Sequence, residues 1–257
     1  MKKSVFITGA AAGTGFAIAQ RFAAEGYDVF IGSRSEENAK DAASKISQKY
    51  GVFSKGYKTV VFDEKNVIEI FDDIKNQGYS LDCLVLNAAN LGIGQKIFEV
   101  DISDFMRVYE TNIGWNFMMV RQAALQMKKK NKGAIVFISS NTAYRAIEDR
   151  IAYSSSKSGI LGMSRALAFD LGKYGIRVNC VLPGMIKTER WSKNLNGIQD
   201  ILSNYTPIGG IADFEDIANA AYFLGSDEAK NITGAELTVD GGNMIQLVPD
   251  MDRKKQK

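Results

Sequence analysis

The 257-residue sequence predicts an α/β fold: one doubly wound domain, a parallel seven-stranded sheet with helices on both faces. Three observations carry this. Short apolar runs alternate with longer segments of helical period from end to end. Several of those runs are continuous rather than alternating, as strands covered on both faces require. No internal repeat, low-complexity tract or Pro- or Ser-rich linker divides a chain with only three prolines. Unbroken strand–helix alternation of this kind demands right-handed crossovers within one sheet.

Taken in order, Ser4–Thr8 (SVFIT), Asp28–Ile31 (DVFI), Thr59–Phe62 (TVVF), Leu81–Leu86 (LDCLVL), Ala134–Ser139 (AIVFIS), Arg177–Leu182 (RVNCVL) and Glu236–Val239 (ELTV) read as strands. Helical periodicity falls between them at 14–25, 36–50, 66–77, 104–130, 153–172 and 213–225. The domain is expected to span 1–250, followed by a basic tail at 251–257. From Pro183 to about Asp213 the sequence mixes Gly, Asn, Pro and Trp without a period. A long irregular segment in a compact domain is usually a lid or binding loop, and 183–213 is assigned to substrate.

Composition narrows the chemistry. An apolar content of 46% is globular, and 32 basic against 29 acidic residues, net +3, create no general field for polyanions. The clusters Lys128–Lys130 and Arg253–Lys255 are local and accompany no nucleic-acid-binding motif, so no nucleic-acid partner is expected. The chain has no histidine, which excludes Ser–His–Asp and Cys–His catalysis and histidine-based zinc sites. Its two cysteines, Cys83 and Cys180, sit inside strand-like runs and read as buried thiols of a reducing compartment, with no metal. Gly9, Gly13 and Gly15 break the apolar stretch after Lys2-Lys3, against a signal peptide, and no run reaches the roughly 18 apolar residues of a membrane span. A soluble cytoplasmic protein without a membrane partner is the expectation.

Two constellations carry chemistry. Thr8-Gly9-Ala10-Ala11-Ala12-Gly13-Thr14-Gly15 follows the first strand and opens the first helix. Glycines there let the backbone turn sharply and approach a pyrophosphate, and the helix N-terminus supplies unpaired N–H groups. At the end of the second strand, Ser33-Arg34 stands where a dinucleotide's adenosine ribose would lie. An acid there would accept from a ribose 2′-OH, whereas an arginine suits a 2′-phosphate, so NADP(H) is preferred with NAD(H) possible. The second constellation is Tyr153-Ser154-Ser155-Ser156-Lys157. On a helix, i and i+4 share a face, and an ammonium beside a phenol favours the phenolate, moving tyrosine toward acid/base work near neutrality.

Along nearly its whole length the chain resembles the short-chain dehydrogenase/reductase family, a Rossmann fold. The glycine turn matches the family's cofactor turn, and Asp63, read as ending strand three, stands where the family has an adenine-contacting Asp. Asn87-Ala88-Ala89 is similar to its Asn-Ala-Gly motif, with Ala89 for the usual glycine. Asn112 matches its active-site Asn, and Ser140, thirteen residues before Tyr153, its catalytic serine. Pro183-Gly184, Ile186 and Thr188 resemble the segment that meets the nicotinamide carboxamide, and Asp240-Gly241-Gly242 completes the pattern. The resemblance implies hydride transfer between NADP(H) and a ketone or secondary alcohol. Tyr153 would act as acid/base, Lys157 would lower its pKa and hold the nicotinamide ribose, Ser140 would bind the substrate oxygen, and Asn112 would anchor a relay water.

A 3-oxoacyl-[acyl-carrier-protein] reductase and a hydroxysteroid dehydrogenase are the enzymatic alternatives; a cofactor-sensing regulator on the same fold is the non-enzymatic one. Asn90-Leu91-Gly92-Ile93-Gly94 departs from the polar stretch common in the acyl-carrier reductases, though Lys128–Lys130 and Lys173 could meet an acidic carrier. An enoyl reductase would be expected to space its Tyr and Lys further apart. Met185, Ile186 and Trp191, with Tyr144 and Arg145, suggest a pocket for a partly apolar ketone. Trp115, Phe117, Met118 and Met119 distribute apolar surface around helix 104–130 beyond one sheet-facing stripe. The resemblance implies that this helix and 153–172 pair across a two-fold axis in a homo-oligomer, commonly a tetramer.

Overall fold

The computed structural model describes residues 2–188 and 204–248. Seven parallel strands form one sheet in the order β3-β2-β1-β4-β5-β6-β7. They are β1 (Ser4–Thr8), β2 (Asp28–Ser33), β3 (Ser54–Lys58), β4 (Cys83–Leu86), β5 (Gly133–Ile138), β6 (Ile176–Pro183) and β7 (Glu236–Val239). Helices α1 (Gly13–Ala24), α2 (Glu36–Tyr50) and α7 (Phe214–Gly225) cover one face. The other face carries α3 (Glu64–Asn76), α5 (Asn116–Lys129) and α6 (Ile151–Gly172). Helix α4 (Ile102–Tyr109) runs into α5 through a π-helical turn, Glu110–Trp115.

The central strands are buried on both sides, with β1, β4 and β5 wholly so, which is why their sequences read as unbroken apolar runs. Each sheet face has its own core, one around Phe22, Ile18 and Ile46, the other around Phe6, Phe30, Trp115 and Phe137. Cys83 and Cys180 are free and buried, as their runs suggested. Strand order reverses between β1 and β4, and this reversal opens a crevice at their carboxyl ends.

Strand three is displaced from its expected place. Thr59–Phe62 is not a strand; β3 is Ser54–Lys58, paired with β2 in the register Val29↔Ser54 to Ser33↔Lys58. Gly56 explains why this unremarkable run (SKGYK) is chosen: a Cβ there would lie 2.3 Å from the Ala39 carbonyl carbon of α2. Val60 and Phe62 are exposed instead, and Phe62 takes a left-handed backbone (φ 60°) as the chain turns toward α3.

The apolar cluster on the long helix is also partitioned differently. Trp115 and Met119 are fully buried in their own core, and of the four only Phe117 is largely exposed, at 49%. The outward apolar side chains of this layer are Ile102, Met106, Phe117 and Leu125, with Phe169 on α6. The lysine cluster is partly committed: Lys130 Nζ donates to Asp82 Oδ1 at 2.7 Å and to Ser80 O at 2.8 Å. Lys128 and Lys173 both lie over the Tyr174 ring, at 4.5 and 5.3 Å. Among the described residues no helix is long and apolar enough to cross a membrane. None of their His, Cys, Asp and Glu side chains gather in threes around a possible metal.

Candidate active site

The crevice is built by latching β1 to β4. Thr8 Oγ1 accepts from the backbone N–H groups of Asn87 (3.0 Å) and Ala88 (3.1 Å). Asn87 Nδ2 returns two bonds, to Thr8 O and Gly9 O, both 3.1 Å. Gly15 is required by this arrangement, since a Cβ there would lie 2.3 Å from Gly9 O and 2.6 Å from Asn87 Nδ2. Gly9 and Gly13 take left-handed backbone, φ 64° and 56°, that side chains resist. Helix α1 begins after Ala12 with no side-chain cap, so its first N–H groups, Thr14 and Gly15 in the first turn, face the crevice end without a protein acceptor of that kind.

A cavity of about 730 Å³ occupies the crevice. Gly9, Ala12, Ser33, Arg34, Asn87 and Ala88 line it, together with Thr59, Val61 and Trp115. A glycine turn that tolerates no side chain, an uncapped helix start and an exposed guanidinium without an ion-pair partner among the described residues fit a dinucleotide phosphate chain. Asp63 caps α3, its Oδ1 accepting from Asn66 N at 3.1 Å, because strand three ends at Lys58, four residues earlier than its apolar run implied.

The catalytic candidates converge past the carboxyl end of β5. Ser140 caps a short 3-10 turn, Oγ accepting from Thr142 N at 3.1 Å. Burial pushes the Tyr153 phenol above its ordinary range; the nearby Ser140 hydroxyl and the charge of Arg150 pull it back. Lys157 is buried on the next turn of α6, with Nζ 5.6 Å from the Tyr153 ring centre. It donates to Ile138 O at 2.7 Å, and burial lowers it to about 8. The expected ammonium–phenol pairing is therefore not what this geometry has: the ammonium turns to a β5 carbonyl, and the opposing charge on the phenol is Arg150's. Sequence reasoning missed Arg150, although its position three residues before Tyr153 puts it one helical turn away.

Asn112 is wholly buried in the π turn. Its Oδ1 accepts from Asn90 N at 2.8 Å, and its Nδ2 donates to Asn90 O (3.0 Å) and Ser156 Oγ (2.9 Å). Both amide hydrogens are thus committed to joining the loop after β4 to α6, leaving one Oδ1 lone pair for a water. π turns concentrate at functional sites.

Pro183 ends β6, and Gly184, Ile186 and Thr188 follow it, beyond the cavity. Gly184 N donates to Val239 O at 2.9 Å, and its missing Cβ leaves room for Asp240, 2.5 Å from where one would stand. Ile186 bridges to Ala212. The expected pocket residues Tyr144 and Arg145 are engaged elsewhere. The Tyr144 hydroxyl donates to Glu236, and Arg145 Nη1 to Gln246 O at 3.4 Å, tying this turn to β7 and the segment after it. Trp191, the middle of 183–213 and the tail at 251–257 lie outside the described residues.

The fold and these residues define a nucleotide-dependent oxidoreductase site. Comparison with known proteins makes the assignment. Residues 9–243 match the family model described as enoyl-(acyl carrier protein) reductase. The chain is 33% identical over 242 residues to the 3-oxoacyl-[acyl-carrier-protein] reductase FabG of Aquifex aeolicus (strain VF5), covering 93% of this chain and 96% of that protein. Among solved structures, ElxO with NADP bound superposes with a TM-score of 0.88 at 33% identity, over 96% of this chain and all of that one. An NAD⁺-bound xylitol dehydrogenase gives 0.86 at 27% identity, over 93% and 98%. The chain belongs to the short-chain dehydrogenase/reductase family. It is an NAD(P)-dependent oxidoreductase acting on CH–OH/C=O groups, and its cofactor is a nicotinamide dinucleotide.

Proposed function

We propose that this enzyme transfers hydride between NADP(H) and a ketone or secondary alcohol, with Tyr153 as general acid/base. The observation that carries the reading is the gathering of Tyr153, buried Lys157 with Nζ 5.6 Å from the Tyr153 ring centre, and Ser140 past the carboxyl end of β5. The bound nicotinamide supplies or accepts the hydride. Ser140 holds the substrate oxygen within reach of the phenol, as near-attack geometry requires. Tyr153 gives its proton to that oxygen in reduction and recovers it in oxidation. Burial keeps the phenol protonated at neutral pH, which suits the reducing direction. Lys157 holds the nicotinamide ribose, and Asn112 anchors a water through its remaining lone pair while fixing Asn90 and Ser156. Thr8, Gly9, Gly13, Thr14, Gly15 and Asn87 take the pyrophosphate end; Ser33 and Arg34 take the 2′-phosphate. Pro183, Gly184, Ile186 and Thr188 meet the carboxamide.

A second reading, reduction of a carrier-bound 3-oxoacyl chain, is supported by the likeness to FabG of A. aeolicus. The enzyme is proposed to work in the cytoplasm as a homo-oligomer joined through the outward apolar side chains of α4, α5 and α6. A panel of acyl, steroid and sugar ketones, free and carrier-linked, followed by loss of NADPH absorbance, tests the reading. Turnover of any ketone by the wild type and not by Tyr153→Phe supports it. Turnover of none, with NADPH bound, overturns it.

A further inference from the structure

The π turn that carries Asn112 depends on a second asparagine. In a regular helix the Asn112 carbonyl would accept the amide of residue 116. Here Asn116 N–H goes to Ile113 O instead. The side chain of the same residue makes up the loss: Asn116 Nδ2 donates to Asn112 O at 2.8 Å. Asn116 is 2% exposed, and its Oδ1 is buried without a hydrogen-bond partner among the described residues. An orphaned amide oxygen lowers stability. The residues that follow on the same helix, Met119, Val120 and Ala123, belong to the apolar core. An aliphatic residue at 116 would remove that orphan but leave the Asn112 carbonyl without this donor.

Hydrogen bonds carry this contact onward toward Tyr153. Asn112 reaches Ser156 Oγ, and Ser156 Oγ in turn donates to Tyr153 O at 2.8 Å. Collapse of the π turn to α register would remove one residue from the winding, swinging Asn112 by about 100° relative to α5. Gly114 sharpens the point, since a Cβ there would lie 2.5 Å from the Phe62 ring. The turn is seated against Phe62, so its backbone position is tied to the segment before α3.

We propose that Asn116 is a positioning residue: its side-chain amide holds the Glu110–Trp115 turn in π register and thereby sets Asn112 and Ser156 beside Tyr153. This rests on the assignment of the reaction centre made above, and the test separates the two. In full-length protein, Asn116→Leu should stay folded, since it exchanges one orphaned polar atom for another. Amide hydrogen exchange across 110–117 should change by about tenfold or more. Ketone turnover should fall about tenfold, with dinucleotide affinity and substrate KM within about twofold. Asn116→Asp should lose turnover at neutral pH, where a carboxylate meets the Asn112 carbonyl. It should regain turnover relative to wild type at acid pH, where the protonated acid can donate. Wild-type exchange in Asn116→Leu, or wild-type turnover despite altered exchange, overturns the proposal. If Asn116→Leu does not fold, an Asn116→Asp pH profile parallel to wild type overturns it. A wild type that reduces no ketone would sink the reaction assignment alone, and the exchange measurement would still decide what Asn116 does.

Discussion

Lys157 offers a prediction whose size follows from its burial. Its folded pKa of about 8 lies below the 10.5 of the free side chain. Between those values the unfolded chain holds a proton that the folded chain has released, so this group makes stability rise with pH. The gain begins near pH 8 and is complete near 10.5. Evaluating the two-pKa expression gives about 2 kcal/mol between pH 7 and 9.5. Other groups act in or near this window with opposite sign. Cys83 and Cys180 are buried thiols pushed upward, and Tyr27, Tyr57 and Tyr153 are phenols held neutral. They lower stability once their unfolded counterparts ionise, near pH 9 and above. The Lys157 contribution is therefore isolated as a difference, wild type minus Lys157→Met, because both proteins share the thiols and phenols. At roughly 2–4 °C per kcal/mol for a domain of this size, the gap in melting temperature should widen in favour of wild type by about 4–8 °C from pH 7 to 9.5. Calorimetry at half-unit intervals measures it. A gap constant to within a degree refutes the reasoning and means that the amine is not held in the desolvated site against Ile138 O.

Further outcomes follow from the site. Tyr153→Phe keeps the ring and removes the transferable proton, so turnover should fall by at least about 10²-fold while calorimetric dinucleotide affinity changes little; a variant with most of its activity defeats the mechanism. Arg34 should favour NADPH over NADH by about tenfold through charge-assisted bonds to the 2′-phosphate, with Arg34→Asp reversing the order. Equal or better use of NADH by the wild type in steady-state assays rejects this. The exposed apolar side chains of α4, α5 and α6 predict a homo-oligomer, and light scattering that returned a 28.2 kDa monomer at working concentration would count against it.

How much of this was legible in the sequence depended on what each signal reports. The central strands announced themselves because burial on both faces leaves no polar position. The edge strand did not. Ser54–Lys58 is half-exposed and polar, while the β-branched run beside it, Thr59–Phe62, is loop. What selects the strand is pairing with β2 and the need for a bare backbone at Gly56 under α2, neither visible in local composition. The same shift puts Asp63 at the cap of α3 and not at a strand end.

The Tyr153–Lys157 pair illustrates a sharper boundary. Spacing of four residues put Tyr153 and Lys157 on one face of a helix, and the structure has them there, with Nζ 5.6 Å from the ring centre. Spacing says nothing about where an ammonium finds its acceptor. That is decided by the end of β5, nineteen positions earlier, whose Ile138 carbonyl accepts the hydrogen bond from Lys157 Nζ at 2.7 Å. A buried ammonium is far costlier without such a bond than a phenol at that distance could repay, so the carbonyl wins. The same logic governs Asn112: the motif marks the residue, but its meaning lies in Asn90, Ser156 and Asn116, which reach it from a loop, a neighbouring helix and the next turn. Motif spacing identifies which side chains share a site, and the unsatisfied backbone groups around them determine which way each one points.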